Sequence, residues 1–243
     1  MSSAAVLVIG DEVLAGRTRD ANTAFLGARL AELGIALVEA RVVRDEQGAI
    51  VEAVNALRAR VDYLFTSGGI GPTHDDITCD SVAAAFGVPV REHPEALARL
   101  LDYYGPDDLN DARRRMARIP AGATLVDNPV SAAPGFSIGN VYVFAGVPKI
   151  LQGMFDGIAH RLAGGAPILS ETLVTARRES QLAPAMAEVQ QRHAGLSVGS
   201  YPYVRDGRFG TRIVVSGRDR AAIQRALAEL ASAADALEQL DPL

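Results

Sequence analysis

Two adjacent acids, Asp75 and Asp76, lie inside a turn that otherwise has the makings of an anion cradle. The stretch reads Thr66-Ser67-Gly68-Gly69-Ile70-Gly71-Pro72-Thr73-His74-Asp75-Asp76-Ile77-Thr78. An apolar run at 61–65 precedes it and reads as a buried strand. An alanine-rich run at 81–86 follows it and reads as a helix. Glycines let a backbone approach a ligand closely, and a helix N-terminus offers free N–H groups and a positive dipole end. The expected ligand-binding positions are therefore Gly68, Gly69, Gly71, Pro72, Thr73 and Thr78. Carboxylates repel phosphate unless a divalent cation lies between them, or unless they accept hydrogen bonds from a ligand ring. Asp75 and Asp76 thus point to a metal-assisted reaction at phosphate, or to ring recognition. The plainer reading of Asp76 is a cap on the following helix. A single acid suffices for capping, and two favour a site.

Further acids fall at corresponding places. Asp11-Glu12 follows the apolar run at 5–9, and Asp45 follows the run at 35–43. Asp11 and Glu12 are candidate metal ligands beside Asp75 and Asp76, although ordinary turn acids account for them equally well. Gly146-Val147-Pro148-Lys149 forms a second strand–glycine–helix junction, with Lys149 as its charge. His74 reads as an exposed loop residue, since no partner in the sequence fixes its tautomer. Cys79 at a helix start invites a lowered pKa, but a small helix residue is the simpler account. Arg113, Arg114, Arg115 and Arg118 read as a solvated helix face rather than a phosphate clamp. No Walker loop, zinc-ligand spacing, nucleophile elbow or dinucleotide fingerprint occurs.

The elements that must position these residues alternate. Strands are expected at 5–9, 35–43 and 63–65, with helices at 22–33, 49–57 and 81–86. Asn22 is the expected cap of the first helix, and Gly34 its C-terminal glycine. This order implies right-handed crossovers and a parallel sheet, with ligands beyond the carboxyl ends of the strands. Asp11, Asp45, Asp75 and Asp76 would then gather on one edge. Helices at 95–104 and 108–117, strands at 124–126 and 141–144, and a helix at 150–162 complete a first domain, 1–165. The segment 128–136, which contains Ser131, reads as turns. The Gly-Gly-Ala-Pro at 164–167 marks the boundary. A second domain, 166–243, is a small α+β unit: a strand at 172–175, a helix at 180–193, strands at 196–204 and 211–216, and a helix at 220–237. The Gly207-Arg208-Phe209-Gly210 loop fits the G-x-x-G of RNA-binding KH loops, but here it joins strands rather than helices.

The chain has 243 residues, 49% of them hydrophobic, and a formal net charge of -5. The acidic balance excludes a general nucleic-acid or membrane-surface binder, and nine arginines against nine acids beyond residue 164 leave no basic patch for RNA. Cys79 stands alone, so no internal disulfide forms, and a cytoplasmic location is expected. No apolar run has the length of a membrane span.

The first domain resembles the MoaB/Mog-type molybdopterin-binding domain, and more closely the N-terminal domain of CinA-like proteins, a domain type that also opens FAD synthases. The residues that carry the resemblance are 10–16, Asn22, Asp45, 68–78, 128–136 and 146–148. Ser200-Tyr201-Pro202 extends it into the second domain. The resemblance implies a three-layer α/β/α fold and a pterin or nucleotide ligand bearing phosphate, with molybdopterin as one such ligand. Asp45 and Asp76 fall where Mog-type proteins contact it, and Asn22, Ser131 and Gly146 fall in matching motifs. It also implies a divalent metal (Mg or Co), a pyrophosphohydrolase activity on ADP-ribose or FAD, and a homo-oligomer, dimer or trimer. The alternative is a non-catalytic binding module. Ser131-Ala132 stands where the family has Gly-Thr, Lys149 where it has a small or acidic residue, and neither the CinA deamidase domain nor the FAD-synthesising domain is expected.

Overall fold

β-branched runs alternating with helical periodicity build, in a computed structural model describing residues 2–205 and 207–240, two compact units divided between Gly165 and Ala166. The first unit opens with β1 (Ser3–Ile9), a short helical turn α1 (Asp11–Leu14), α2 (Asn22–Glu32) and β2 (Ala36–Val43). It continues with α3 (Gln47–Arg58), β3 (Tyr63–Ser67), α4 (Thr78–Phe86), β4 (Val90–Glu92), α5 (Pro94–Tyr104) and α6 (Asp111–Arg115). Then come β5 (Arg118–Pro120), β6 (Thr124–Val126), β7 (Gly135–Ile138), β8 (Val141–Phe144) and α7 (Pro148–Ile158). Six strands form one sheet in the order β2-β1-β3-β8-β7-β6. The first four run parallel, and β7 and β6 each run antiparallel to the strand before them in that order.

β1 shows why its sequence is almost wholly apolar. Ala5, Leu7 and Ile9 join one core with α3 and α4, while Ala4, Val6 and Val8 join another with α2 and α7. A parallel strand covered on both faces has no polar side to alternate with. The fold is thus three layers, helices on both faces of a mostly parallel sheet.

Several elements depart from the sequence expectation. The helix expected at 108–117 shrinks to α6, capped by the Asn110 side chain, which accepts from the Arg113 amide at 3.0 Å. Residues 118–120 instead pair antiparallel with β4. β7 begins within the stretch read as turns, because Gly135 serves there as a strand residue. A Cβ at Gly135 would meet the Val143 carbonyl at 2.3 Å. Asn22 is not the cap of α2. The Asp20 carboxylate accepts the amides of Asn22 and Thr23, at 2.9 and 3.2 Å, which frees the Asn22 side chain for another task.

The second unit consists of β9 (Leu169–Thr175), α8 (Glu179–Arg192), β10 (Ser197–Arg205), β11 (Arg208–Gly217) and α9 (Arg220–Leu240). Its antiparallel sheet has the order β10-β11-β9, and α8 and α9 share a core with it around Leu182, Ile213, Val215 and Ile223. The hairpin pairs up to Arg205 and Arg208, so Arg208, Phe209 and Gly210 are strand residues rather than a loop; Asp206 lies outside the described residues.

Gly68 follows β3 with φ 108°, and a Cβ there would meet the Ile9 carbonyl at 2.2 Å. Gly87 also has positive φ, 67°, but opens onto empty space. Gly87→Ala should therefore cost only the left-handed penalty of about 1 kcal/mol. Gly68→Ala should cost about 1–3 kcal/mol more, because the backbone must move. Urea unfolding of both variants checks the difference, and equal losses would refute it.

Candidate ligand-binding cleft

The parallel strands end on one edge, and the loops leaving β1, β2, β3 and β8 enclose a cleft of about 650 Å³ there. Gly68 to Pro72 form one wall and residues 145–148 another. Glu12, Asp45, Asp75 and Asp76 supply carboxylates. Ile70, Met116 and Ile150 supply apolar surface.

The glycine turn is held from beneath by a fully buried residue. The Thr78 hydroxyl donates to the Gly68 carbonyl at 2.9 Å, and its amide donates to the Gly69 carbonyl at 3.0 Å. A Cβ on Gly69, whose φ is 69°, would meet that hydroxyl at 2.1 Å. The Asn22 amide group donates to the Ser67 hydroxyl at 2.8 Å and to the Gly146 carbonyl at 2.7 Å. It ties the end of β3 to the loop after β8. Thr78 and Asn22 do not line the cleft; they shape the loops that do.

The acids gather at one end. The Thr73 hydroxyl lies 2.5 Å from Asp75 Oδ1 and 2.6 Å from Asp76 Oδ2, and the Thr73 amide donates to Asp76 at 2.8 Å. One hydroxyl carries one proton, so the two carboxylates compete for it. The hydrogen bond from Thr73 holds the Asp75 carboxyl below its ordinary range. α4 begins at Thr78 with Ile77 before it and has no side-chain cap, so Asp76 is not a helix cap. Asp45 accepts the Asp11 amide at 2.8 Å. Burial raises its pKa, the Asp11 amide opposes that, and the charges of Glu12, Asp11 and Asp75 add to the rise. Asp11 itself pairs with Arg44 at 3.2 Å. Among the described residues, no group of three His, Cys, Asp or Glu side chains is placed to hold a metal ion by itself.

The remaining candidates divide. Ser131 lines the cleft, its hydroxyl accepting from the Asn128 amide group at 2.7 Å. Lys149 is exposed and is not among the lining residues, although Pro148 and Ile150 on either side are. His74 is 96% exposed. The Cys79 thiol donates to the Arg118 carbonyl at 3.0 Å, and burial pushes its pKa up to about 12. Arg114 pairs with Glu92, Arg118 with Asp80 at 2.7 Å, and Arg113 stacks on the Tyr104 ring. Sequence reasoning missed the apolar walls, Ile70, Met116, Val147 and Ile150, whose only signal was their place after a strand or beside a turn.

Residues 5–164 match the family described as "Probable molybdopterin binding domain". The chain belongs to that family. Residues 167–239 match "FAD synthase, middle domain". A Thermoplasma acidophilum protein is 30% identical to this molybdopterin-binding-domain chain over 239 residues, 93% of this chain and 91% of that one. A "CinA-like protein" of Frankia casuarinae is 32% identical over 95% of this chain, which spans 58% of that relative. A "Probable FAD synthase" of Caenorhabditis briggsae is also 32% identical, over 94% of this chain and 49% of its own length. Among solved structures, "the protein CinA with unknown function from Thermoplasma acidophilum" superposes with a TM-score of 0.63 at 34% identity, covering 66% of this chain and 97% of that one. Among the described residues, no helix is long and apolar enough to cross a membrane.

A carboxyl whose pKa is raised in the folded state binds its proton more tightly there than in the unfolded chain. Its contribution to stability therefore falls as pH rises through the interval between the two values, and stays lost at neutral pH. Asp45→Asn, which keeps an acceptor for the Asp11 amide, should melt higher than the parent at pH 7. The gain should vanish below about pH 4, where both forms are neutral. Thermal scans across pH check this, and a gain that persists in acid would refute it. The Cys79 thiol should react with iodoacetamide at neutral pH only after unfolding. Prompt labelling of the native chain would contradict its burial.

Proposed function

We propose that the cleft binds a pterin or nucleotide bearing phosphate, and that the protein hydrolyses the diphosphate bond of a nucleotide such as ADP-ribose or FAD with the help of a divalent cation. One observation carries the reading. A single cleft joins backbone of glycine-rich loops, suited to phosphate, to four carboxylates, suited to ring N–H groups or to a cation that bridges to phosphate. The apolar wall of Ile70, Met116 and Ile150 offers a surface for a planar ring. The matches to a molybdopterin-binding domain and to a FAD synthase region support a ligand of this class.

The residues fit a cation only in company with a ligand. Magnesium is commonly held by one or two carboxylates, the rest of its shell coming from water and substrate phosphates. Asp75 and Asp76, which converge on one hydroxyl, form such a pair, and Asp11 and Glu12 lie in the same electrostatic neighbourhood as Asp45. A bound cation would neutralise phosphate charge and lower the pKa of an attacking water. The chain's own contributions are separate. Gly68 to Pro72 orient the phosphates through their backbone, Asn22 and Thr78 keep that backbone in place, and Asp45 receives ring or ribose donors. The cytoplasm is the expected compartment. Lys149 has no part in this reading, because it stands outside the cleft.

The test is a chromatographic assay with ADP-ribose, FAD and NAD, each incubated with Mg²⁺, Co²⁺ or EDTA. AMP should appear from ADP-ribose or FAD only with metal. Asp76→Asn should lower turnover at least about 100-fold, a loss on the scale of a removed charge-stabilising group, while its melting stays close to the parent's. Retained turnover in that variant would remove Asp76 from the chemistry. Absence of product with every substrate, together with tight calorimetric binding of molybdopterin or a nucleotide in EDTA, would leave a non-catalytic binding module.

A further inference from the structure

We infer that Arg115 and the amides of Gly69, Ile70 and Gly71 form a side recess of the cleft that seats the second phosphate of a nucleoside diphosphate. Arg115 is then the residue that makes a diphosphate preferred over a monophosphate. The inference rests on the reading of the cleft as a nucleotide site and names what selects the ligand there. The recess has a volume of about 30 Å³ and shares Gly69, Ile70, Gly71, Asp76 and Met116 with the main cleft. That is room for one small group, not for a ring. Arg115, Arg118 and Asp80 are among its further walls.

The arginines expected on one solvated face are not alike. Arg113 donates to the Asp108 carbonyl and stacks on the Tyr104 ring, Arg114 pairs with Glu92, and Arg118 pairs with Asp80 at 2.7 Å. Arg115 lies half-buried in the last turn of α6. Among the described residues, its guanidinium makes no hydrogen bond or ion pair. A charged group withdrawn from water without a partner is costly, and an anion in the recess would remove that cost. The acids at hand are already engaged. Asp80 is matched by Arg118, and Asp76 Oδ2 accepts the Thr73 amide and hydroxyl at 2.8 and 2.6 Å.

The glycine loop supplies an independent sign. The Gly68 amide donates to the Phe144 carbonyl at 3.2 Å, and the Thr73 amide donates to Asp76. Between them, the amides of Gly69, Ile70 and Gly71 donate to no acceptor among the described residues. Successive unengaged amides in a turn form a concavity for an anion. A guanidinium adds two parallel N–H groups that match two phosphate oxygens. One phosphate thus belongs to Arg115 and the loop amides, and its neighbour is left to the acidic end of the cleft.

Calorimetric titration of the full chain with ADP and with AMP, each in Mg²⁺, tests this. The parent should bind ADP at least about 10-fold tighter than AMP, the scale of a charge-assisted pair. Arg115→Gln should weaken ADP by at least about 10-fold and leave AMP within about 2-fold of the parent. Arg115→Lys, which keeps the charge but not the fork, should fall between parent and Arg115→Gln for ADP. Arg114→Gln removes the same charge from outside the recess and should leave both affinities unchanged. If Arg115→Gln fails to fold by circular dichroism, Arg115→Met, which keeps the apolar stem, takes its place. A parent without preference for ADP, an unmoved ADP affinity in Arg115→Gln, equal losses for ADP and AMP, or an equal loss in Arg114→Gln would each overturn the inference and leave the cleft reading standing. A parent that binds neither nucleotide would overturn the nucleotide reading of the cleft, and this inference with it.

Discussion

Everything at the cleft depends on one close approach, the passage of Gly68 between Ile9 and Gly146. The Gly68 amide donates to the Phe144 carbonyl at 3.2 Å, and its carbonyl receives the Thr78 hydroxyl. A Cβ on Gly146 would sit 3.3 Å from the Gly68 Cα, so the two loops run backbone against backbone. Side chains would fill the space that the loops need in order to meet. A glycine also accepts the positive φ that turns the chain toward the opening. The buried Thr78 and the nearly buried Asn22 supply the hydrogen bonds that the turned backbone cannot make within a ladder. The site is thus shaped by polar groups that never face it.

Two carboxyls at the acidic end have opposite tendencies. The hydrogen bond from Thr73 favours the ionised form of Asp75. Asp45 is partly withdrawn from water and surrounded by like charge, and it keeps its proton to higher pH. Their environments rather than their identities separate them, which is how one loop cluster can present both a persistent anion and a more easily protonated acid. Arg44 restrains only the outer member of the group, Asp11, and does so at an exposed position where screening makes the pair weak.

Much of this was legible from residue type and spacing. Continuous apolar runs marked β1 and β3, and the acids that follow strands did converge, because parallel strands end on one side. Local chemistry obscured other parts. Gly135 looks like a turn former, yet it is a strand residue wanted for close packing. The stretch at 108–117 reads as a longer helix than α6, and strand pairing claimed residues 118–120 after it. Asn22 looks like a cap, but Asp20 two residues earlier does that work. Lys149 follows a promising glycine, yet sits outside the cleft. The walls contributed by Met116 and Ile150 were invisible, since an apolar residue beside a cleft is chemically the same as one in a core. Sequence separates polar roles from apolar ones more readily than it separates lining from support.

The joining of β8 to β3 has a consequence for how the molecule reaches its native state. β1, β2 and β3 follow one another through short helical connections, α1 with α2 and then α3, so their pairings close comparatively short loops. β8 lies far along the chain from β3, beyond α4, α5, α6 and the four short strands β4 to β7, and it is inserted directly beside it. That contact carries the larger loop-closure entropy and belongs to the slow, non-local part of folding. The Asn22 clamp and the Gly68–Gly146 approach exist only after it forms. The acids can therefore be assembled early, while the cavity they serve is finished last. Local opening of β8 would erase the binding surface before it melted the first three strands.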